Sequence, residues 1–406
     1  MRFQVLPGFR DFLPQELAVR RWIESAWQRA SRGAGFEEID GPVLEPLELL
    51  SAKSGEEIAA QLYAFEDKGG RKVALRPEMT PTIARMVAAR AGGLPKPIKW
   101  YCIPEFYRYE KPQRGRARAF YQWNTDIFGS DDPAADAELV AVAIEGLRQL
   151  GLGAADVVVR INDRRLLRRQ LASIDVGEED EGEVLALIDK LERDAAAPDR
   201  LEALLGQTRT REVNAWCERM PLENADELAA VIEACADFGI EDFVQPDFRI
   251  VRGLAYYTGP VWEIFDRAGE LRSVAGGGRY DKLIELFGGP KLPALGFGMG
   301  DLVLTELLRK RGLVPDAAPR VDVVVVPIGG DMRQVARRVV AKLRSLGVRV
   351  DTPYAAPRVA RALKAAEASG AARVVLVGPD EWEDGSVKVK DMASGRETVV
   401  RFDELS

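Results

Sequence analysis

A break in composition near the carboxyl end most limits how this chain can fold. The segment PDAAPR at 315–320 is followed by the apolar run VDVVVVPIGG and, further on, by ARVVLVG. Segments of helical periodicity at 332–346 and 359–369 separate such runs, and two further strands are expected at 386–390 and 397–402. Alternating strands and helices are typical of a compact α/β domain. The sequence therefore predicts a linker at 315–320 and a separate α/β domain over 321–406.

The part of the chain before this break changes character along its length. A helix is expected over 14–31, a strand over 72–75, and a helix begun by Pro133 that Ser130 or Asp132 can cap. Strongly charged helical segments then fill 161–245, strand signals return at 247–251, and the glycines at 276–278 indicate a turn. A chain of 406 residues with these changes suggests two or three domains.

A basic and aromatic stretch, FYRYEKPQRGRARAFYQ at 106–122, predicts a β-hairpin. Aromatic residues fit its arms, and Pro112, Gln113 and Gly115 supply turn chemistry between them. The stretch also contains Arg108, Lys111, Arg114, Arg116 and Arg118. Because the planar fork of arginine binds phosphate oxygens bidentately, such a hairpin can hold a nucleotide or the end of an RNA strand. Judged by its positive charge alone, the stretch is more simply explained as a solvent-exposed basic hairpin that binds no ligand.

Composition narrows the chemistry that is available. The net charge of −7 argues against a protein that coats nucleic acid through bulk positive charge, so any RNA contact must be local. The chain has no histidine, and its three cysteines form no CxxC pair, so no protein metal site is expected. The lack of a long apolar run and of a signal-peptide pattern predicts a cytoplasmic protein without membrane contact.

Prolines stiffen the segment LRPEMTPTIAR at 75–85, where they bracket Glu78 and Thr80 ahead of a helix expected over 82–91. These two side chains either cap that helix or present a carboxylate and a hydroxyl to a ligand.

Two other segments combine glycines with polar or apolar side chains. In RGLAYYTGPVWEIF at 252–265, an arginine precedes glycines that allow close backbone approach and tyrosines that offer hydroxyls to a polar ligand. In GFGMG at 296–300, the glycines suggest a dinucleotide loop, but their spacing and context do not match one.

In their order along the chain, these motifs resemble the class II aminoacyl-tRNA synthetases, in the form found in the histidyl-tRNA synthetase family. The basic hairpin resembles motif 2, GFEEIDGPVLEPLEL at 35–49 resembles motif 1, and GFGMGDLVLTELL at 296–308 resembles motif 3. RGLAYYTG resembles the peptide that separates histidyl enzymes from other class II members. The resemblance covers nearly the whole chain.

The resemblance implies an α+β fold with a mixed, mainly antiparallel catalytic sheet flanked by helices. This catalytic domain is expected over 1–160 and 246–314, and a helical insertion domain over 161–245. The α/β domain over 321–406 is then similar to an anticodon-binding domain. The insertion is expected to touch tRNA, with weak candidates for that contact at Arg164, Arg165, Arg168 and Arg169.

The resemblance also implies roles for individual residues. Arg108 and Arg252 are the expected catalytic residues, meeting the α-phosphate of ATP from two sides. The residues expected to bind ATP are Arg108, Glu110, Arg116 and Phe120. The residues expected to bind histidine are Glu78, Thr80, Gln122, Asp126, Arg252, Tyr256, Tyr257 and Tyr280.

The implied function is ATP-dependent ligation of L-histidine to its tRNA through a histidyl-adenylate. Mg²⁺ is expected to bridge the remaining phosphates of ATP, and motif 1 implies a homodimer. The family usually carries an arginine where Val303 stands and an acidic residue where Ala255 stands.

Two alternatives stay open. One is the synthetase-like regulatory subunit of ATP phosphoribosyltransferase, which binds histidine without charging RNA. The other is an RNA-binding module or a synthetase for a different amino acid.

Overall fold

The computed structural model describes residues 3–51, 61–222, 225–252, 256–316, 320–329, 331–355 and 357–406. Contacts divide the chain into two compact units, Met1–Val314 and Pro315–Ser406. The division falls at the start of the predicted linker. It leaves the segment 161–245 within the first unit, so a separate insertion domain stays a prediction.

Helices and strands alternate irregularly through the first unit. Its helices are α1 (Pro14–Gly33), α2 (Leu47–Ser51), α3 (Thr80–Arg90), α4 (Pro133–Arg148), α5 (Arg164–Ser173), α6 (Glu178–Ile188), α7 (Ala197–Glu218), α8 (Asp226–Asp237), α9 (Leu283–Leu286) and α10 (Asp301–Lys310), with a 3₁₀ turn at Glu241–Phe243. Its strands are β1 (Glu37–Glu38), β2 (Leu44–Pro46), β3 (Ala64–Glu66), β4 (Lys72–Leu75), β5 (Ile98–Cys102), β6 (Glu105–Tyr107), β7 (Ala119–Phe128), β8 (Val157–Asp163), β9 (Val244–Pro246), β10 (Pro260–Asp266), β11 (Ala275–Arg279) and β12 (Ala294–Gly300).

One large sheet organises this unit. Its strands lie in the order β1-β5-β7-β12-β11-β10-β8-β9, and β6 pairs with β7 outside that path. The outermost pairs, β1 with β5 and β8 with β9, are parallel, whereas the pairs between them are antiparallel. The predicted mixed, mainly antiparallel sheet is therefore confirmed. A second, three-stranded sheet has the order β2-β4-β3.

Aromatic packing joins the helices to the large sheet. Trp27 of α1 stacks on Trp123 of β7 with ring centroids 5.9 Å apart, and Phe297 of β12 meets Trp123 edge-on at 4.9 Å. Helix α4 begins as predicted, because the Asp132 carboxylate accepts a hydrogen bond of 2.9 Å from the backbone N–H of Ala134. The aromatic contacts hold α1 against the sheet, and the cap fixes the residue at which α4 begins.

The charged helical segment has a hydrophobic core of its own from α5, α6 and α7. Helix α7 is broken at Gly206, whose φ of +76° lies in the left-handed region. Helix α8 instead contributes Leu228 and Val231 to the main core. The predicted insertion therefore does not pack as one block of helices.

The four arginines proposed from this segment for tRNA contact have partners inside the chain. Arg164 is buried and donates to the Val251 carbonyl. The other three form ion pairs: Arg165 with Asp163, Arg168 with Glu181, and Arg169 with Glu227.

Two local predictions for the first unit are wrong. Gly276, Gly277 and Gly278 form the buried strand β11 and not a turn. Residues 247–251 are not a strand; the strand before them is β9, which pairs with β8. Both errors arise because neighbouring strands, and not local propensity, determine these segments.

The second unit is an α/β domain, as predicted. Its strands β13 (Val323–Pro327), β14 (Val350–Asp351), β15 (Arg373–Val377), β16 (Ser386–Asp391) and β17 (Glu397–Arg401) form a sheet of order β14-β13-β15-β16-β17. Its helices are α11 (Arg333–Ser345), α12 (Val359–Ala368) and α13 (Pro379–Glu383), followed by a 3₁₀ turn at Phe402–Glu404. Among the described residues, no helix of either unit is long and apolar enough to cross a membrane.

Candidate active site

A cavity of about 880 Å³ opens on one face of the large sheet in the first unit. Alternate residues of neighbouring strands reach it, as expected for side chains on one face of a sheet. They include Phe120 and Gln122 of β7, Glu263 and Phe265 of β10, and Gly298 and Gly300 of β12. Its lining also includes the loop between β6 and β7, the end of α6 and the residues that follow it, residues from 249 to 252, the loop between β10 and β11, and the start of α10.

Arg108 enters the cavity from the start of the hairpin loop. Its Nε donates 2.9 Å to the carbonyl of Pro77, and its guanidinium carbon lies 5.1 Å from the centre of the Phe120 ring. The backbone N–H of Arg108 also donates 2.9 Å to the carbonyl of Arg118. A guanidinium fixed by a carbonyl and an aromatic face loses little further freedom when it binds an anion.

Arg116 lies further along the same loop. Its Nε is 3.3 Å from the Glu110 carboxylate, so the loop carries a cation and a carboxylate side by side at the cavity wall.

Arg252 reaches the cavity from a strained backbone. Its φ of +55° lies in the left-handed region that non-glycine residues seldom adopt. Its Nη1 is 3.2 Å from the Glu263 carboxylate and donates 3.4 Å to the Trp262 carbonyl, while its buried Nε has no hydrogen-bond partner among the described residues. Strain of this kind persists only where the surroundings enforce it, which is common at functional sites.

Burial and charge act in opposite directions on this pair. Burial raises the pKa of Glu263 above its ordinary value, and Arg252 offsets part of that rise. Burial disfavours the Arg252 cation, but Tyr257 and Glu263 outweigh it and hold the pKa of Arg252 above its ordinary value. Arg252 therefore stays charged inside the protein.

Glycines in the sheet make room for these side chains. A Cβ at Gly276 would overlap Nη1 of Arg252, and one at Gly298 would overlap Nε2 of Gln122. That Nε2 donates 3.0 Å to Oδ1 of Asn124. Gly276 and Gly298 therefore provide space for the side chains of Arg252 and Gln122 and do not mark turns.

A second group of predicted residues forms what we call the aromatic–carboxylate cluster. It comprises Glu78, Asp126, Tyr256, Tyr257 and Tyr280. The ring of Tyr256 is 4.8 Å from that of Tyr257 and 5.7 Å from that of Tyr280, whose hydroxyl donates to Oδ1 of Asp126. Burial, and after it the Asp126 carboxylate, raises the pKa of Tyr280 well above its ordinary value. Tyr280 therefore remains a protonated hydrogen-bond donor.

Arg252 connects the cavity to this cluster, because its guanidinium carbon lies 5.7 Å from the Tyr257 ring centre. The cavity itself is lined by Arg108, Glu110, Arg116, Phe120, Gln122 and Arg252. The residues of the aromatic–carboxylate cluster and Thr80 are not among its lining residues. The predicted site is thus a cationic cavity with a buried polar cluster next to it.

Helix α3 does not support the simpler interpretation of Glu78 and Thr80 as capping residues. The N-cap residue is Met79, no side chain caps the helix, and Thr80 is already its first residue. Ala255, where the resemblance expects an acidic residue, lies outside the described residues.

Sequence reasoning missed several charged residues at the cavity. Glu263 and Arg160 each interrupt an apolar run within the strands β10 and β8, and a charge inside such a run is a signal that could have identified them. Arg272 gave no such signal, because it lies in a loop. Val303 of α10 also lines the cavity. In the part of the chain that the structure describes, no cluster of three or more metal-ligating side chains occurs.

The mainly antiparallel sheet, with its arginine-bearing hairpin over a glycine-lined cavity, is the fold of a class II aminoacyl-tRNA synthetase. The family model for histidyl-tRNA synthetase matches residues 8–300, and the model for an anticodon-binding domain matches residues 322–406. The chain therefore belongs to the histidyl-tRNA synthetase family.

Relatives and solved structures agree with this assignment. A histidine–tRNA ligase from Opitutus terrae is 43% identical over 99% of this chain and 97% of its own length. The chloroplastic/mitochondrial histidine–tRNA ligase of Arabidopsis thaliana is 40% identical, with 98% of this chain and 85% of the relative covered. The crystal structure of histidyl-tRNA synthetase from a Nostoc species superposes with a TM-score of 0.84 at 26% identity, covering 99% of this chain and 98% of the other.

Proposed function

We propose that the chain joins L-histidine to its tRNA in two steps, with ATP as substrate and histidyl-adenylate as intermediate. The observation that carries the proposal is the convergence of Arg108 and Arg252, from distant segments, on one cavity beside a buried polar cluster. Full-length relatives named histidine–tRNA ligases support it.

In the first step, a carboxylate oxygen of histidine attacks the α-phosphorus of ATP. The bond from that phosphorus to the oxygen bridging to the β-phosphate breaks, and pyrophosphate leaves. Charge on the α-phosphoryl oxygens is stabilised by Arg108 on one side and Arg252 on the other, and such preorganised cations supply most of the catalysis in phosphoryl chemistry. The terminal ribose of tRNA then attacks the histidyl carbonyl, and AMP leaves.

The buried cluster supplies selectivity for histidine. Glu78, Thr80 and Gln122 hold the α-amino group, and Asp126 lines the imidazole pocket with the three tyrosines, Tyr256, Tyr257 and Tyr280. Both ring nitrogens of a buried imidazole need partners, so amino acids without them leave polar groups of the protein unsatisfied.

Mg²⁺ fits the cavity as a companion of ATP. It takes substrate phosphates and one or two carboxylates as ligands, and the carboxylates of Glu110 and Glu263 line the cavity. When bound, the ion neutralises part of the charge on the phosphates. The two carboxylates also hold Arg116 and Arg252 in place.

The regulatory alternative is less well supported. One structural neighbour, from Bacillus halodurans, is named as an ATP phosphoribosyltransferase regulatory subunit/histidyl-tRNA synthetase, but at 21% identity it reflects the fold alone. The match of residues 322–406 to an anticodon-binding domain favours a chain that handles tRNA.

A homodimer is part of the proposal. Val43 and Leu44, in the segment expected to form the dimer contact, are 44% and 39% exposed in the single chain, which suits a surface covered by a partner. Sedimentation at micromolar concentration is expected to give twice the chain mass of 44.8 kDa. A lone monomer would contradict this part of the proposal. Localisation in the cytoplasm stays a prediction.

Histidine-dependent exchange of pyrophosphate into ATP tests the enzymatic proposal. We expect exchange only when histidine and Mg²⁺ are present, and Arg252→Ala is expected to lower turnover by about a hundredfold or more, since it removes a cation that acts on the transition state. Arg252→Lys keeps the positive charge but loses the planar guanidinium, so its turnover should lie between that of the unaltered chain and that of Arg252→Ala. Lack of exchange by the unaltered chain would reject the proposal.

A further inference from the structure

The loop between β10 and β11 presents an arginine, Arg272, to the cavity. The buried carboxylate of Asp266 fixes this loop by accepting hydrogen bonds of 3.0 Å from the backbone N–H groups of both Glu270 and Leu271. The side chain of Leu271 packs against the main core. The backbone next to Arg272 is therefore held in place before any ligand arrives.

Arg272 occupies the part of the wall where helix α10 offers only an apolar side chain. A Cβ built on Gly115 of the hairpin loop would lie 3.3 Å from Cγ2 of Val303 and 3.8 Å from Cδ of Arg272. The stem of Arg272 and the side chain of Val303 therefore flank the same point of the hairpin loop. At this place the cation comes from the β10–β11 loop and not from the helix.

Arg272 has no directly paired carboxylate within the described residues, and the charge of Glu110 acts on it only from a distance. It makes no hydrogen bond and no ion pair there, whereas Arg116 pairs with Glu110 and Arg193 with Asp189. Burial, and after it the neighbouring cation Arg116, lowers the pKa of Arg272 below its ordinary value. A second cation next to Arg272, with the carboxylate of Glu110 already paired to that cation, favours binding of an anion.

The arginines that line the cavity differ in exposure. Arg252 and Arg108 are part-buried, and Nε of Arg252 is fully shielded, whereas Arg272 and its neighbour Arg116 are exposed. A triphosphate whose α-phosphate lies between Arg108 and Arg252 would reach from these part-buried arginines toward the exposed ones. The geometry suits a chain of phosphates better than a single anion.

We propose that Arg272 binds the outer phosphates of ATP, supplying from the β10–β11 loop the cation that Val303 cannot supply from α10. The inference rests on the proposed function, because it takes ATP as the occupant of the cavity. It assigns the terminal phosphates to a residue outside the motif-like segments. Binding of the nucleoside and of the α-phosphate is not expected to depend on Arg272.

Steady-state pyrophosphate exchange with Arg272→Ala tests this assignment. Loss of one charge-assisted contact is expected to raise the KM for ATP by about tenfold to a hundredfold, with the KM for histidine unchanged. Arg272→Lys should give an intermediate KM for ATP, because it keeps the charge and loses the planar fork.

AMP separates phosphate binding from general damage to the cavity. It lacks the outer phosphates, so its inhibition constant is expected to be the same for Arg272→Ala and the unaltered chain. Arg309→Ala is the matched control, since Arg309 is another exposed arginine, on the helix that carries Val303, and does not line the cavity. It should change neither constant.

Two results would overturn the assignment. One is an unchanged KM for ATP in Arg272→Ala, including the case in which only the KM for tRNA rises in the charging reaction. The other is an equal loss of ATP and AMP binding. Should the unaltered chain show no exchange, the proposed function fails, and calorimetric titration of all three variants with ATP and AMP still tests Arg272 by the same criteria.

Discussion

At the scale of single residues, Arg252 shows how a site can depend on backbone conformation. A non-glycine residue in the left-handed region costs on the order of 1–2 kcal/mol, and here the ion pair with Glu263 at 3.2 Å helps to offset that cost. The strained backbone places the charged guanidinium of Arg252 against Gly276, where the sheet has no side chain in the way. The sequence patterns identify Arg252 as a candidate site residue, but they do not predict its left-handed backbone conformation.

Asp126 provides a test of the histidine pocket. Its carboxylate is buried and accepts a hydrogen bond from the Tyr280 hydroxyl, so Asp126→Ala should leave an imidazole N–H unpaired in a closed site. We expect a loss of histidine binding of about 1–3 kcal/mol. The KM for ATP should change far less, and the two KM values from exchange kinetics measure both effects.

Tyr280→Phe is the matched variant for this test, because it keeps the ring and removes only the hydroxyl. Its effect on the KM for histidine should be smaller than that of Asp126→Ala. An unchanged KM for histidine in Asp126→Ala would show that this carboxylate does not meet the imidazole.

At the scale of elements, strand β11 gives a prediction about glycine. Because a Cβ at Gly276 would overlap Arg252, Gly276→Ala should displace that guanidinium and lower exchange turnover toward the level of Arg252→Ala. Gly33→Ala is a suitable control, since no atom lies within 4 Å of its Cβ position. Equal turnover in the two glycine variants would mean that Arg252 can act from another position.

A buried ion pair joins helix α4 to strand β11. Both partners are at least 95% buried, and Nε of Arg279 donates 3.1 Å to Asp136. Asp136→Ala leaves Arg279 buried with only the more exposed carboxylate of Asp281, 3.3 Å away, as counter-ion, so it should lower the free energy of unfolding by up to about 3 kcal/mol. The exposed pair Arg169–Glu227 is the control, and Glu227→Ala should cost no more than about 1 kcal/mol. Denaturant unfolding curves measure both, and similar losses would argue against a structural role for the buried pair.

Comparison of these elements shows what could be predicted from sequence. The hairpin, the strand Lys72–Leu75 and the Asp132 cap follow from local chemistry, and all three occur as expected. Strand β11 was missed because its glycines are selected by close approach of side chains from elsewhere in the chain. The loop cation Arg272 was missed for a related reason, since only the folded chain brings it next to Val303.

At the scale of the whole molecule, the two units have separate hydrophobic cores. Residues up to 314 supply the cores of the first unit, and residues from 321 onward supply two cores in the second. Such cores allow each unit to fold by its own packing. The cavity and the aromatic–carboxylate cluster lie entirely within the first unit.

This division predicts that the two reaction steps respond differently to removal of residues 315–406. Adenylate formation needs only groups of the first unit, so exchange of pyrophosphate should stay within about twofold of the full chain, which corresponds to less than about 0.5 kcal/mol. Transfer to tRNA should lose the contacts of the anticodon-binding-like unit, and its kcat/KM should fall by about a hundredfold, or about 2.8 kcal/mol. Thermal unfolding of the shortened chain provides the control, because a cooperative transition shows that the first unit has folded. Equal losses in the two steps would mean instead that the second unit is needed to stabilise the catalytic one.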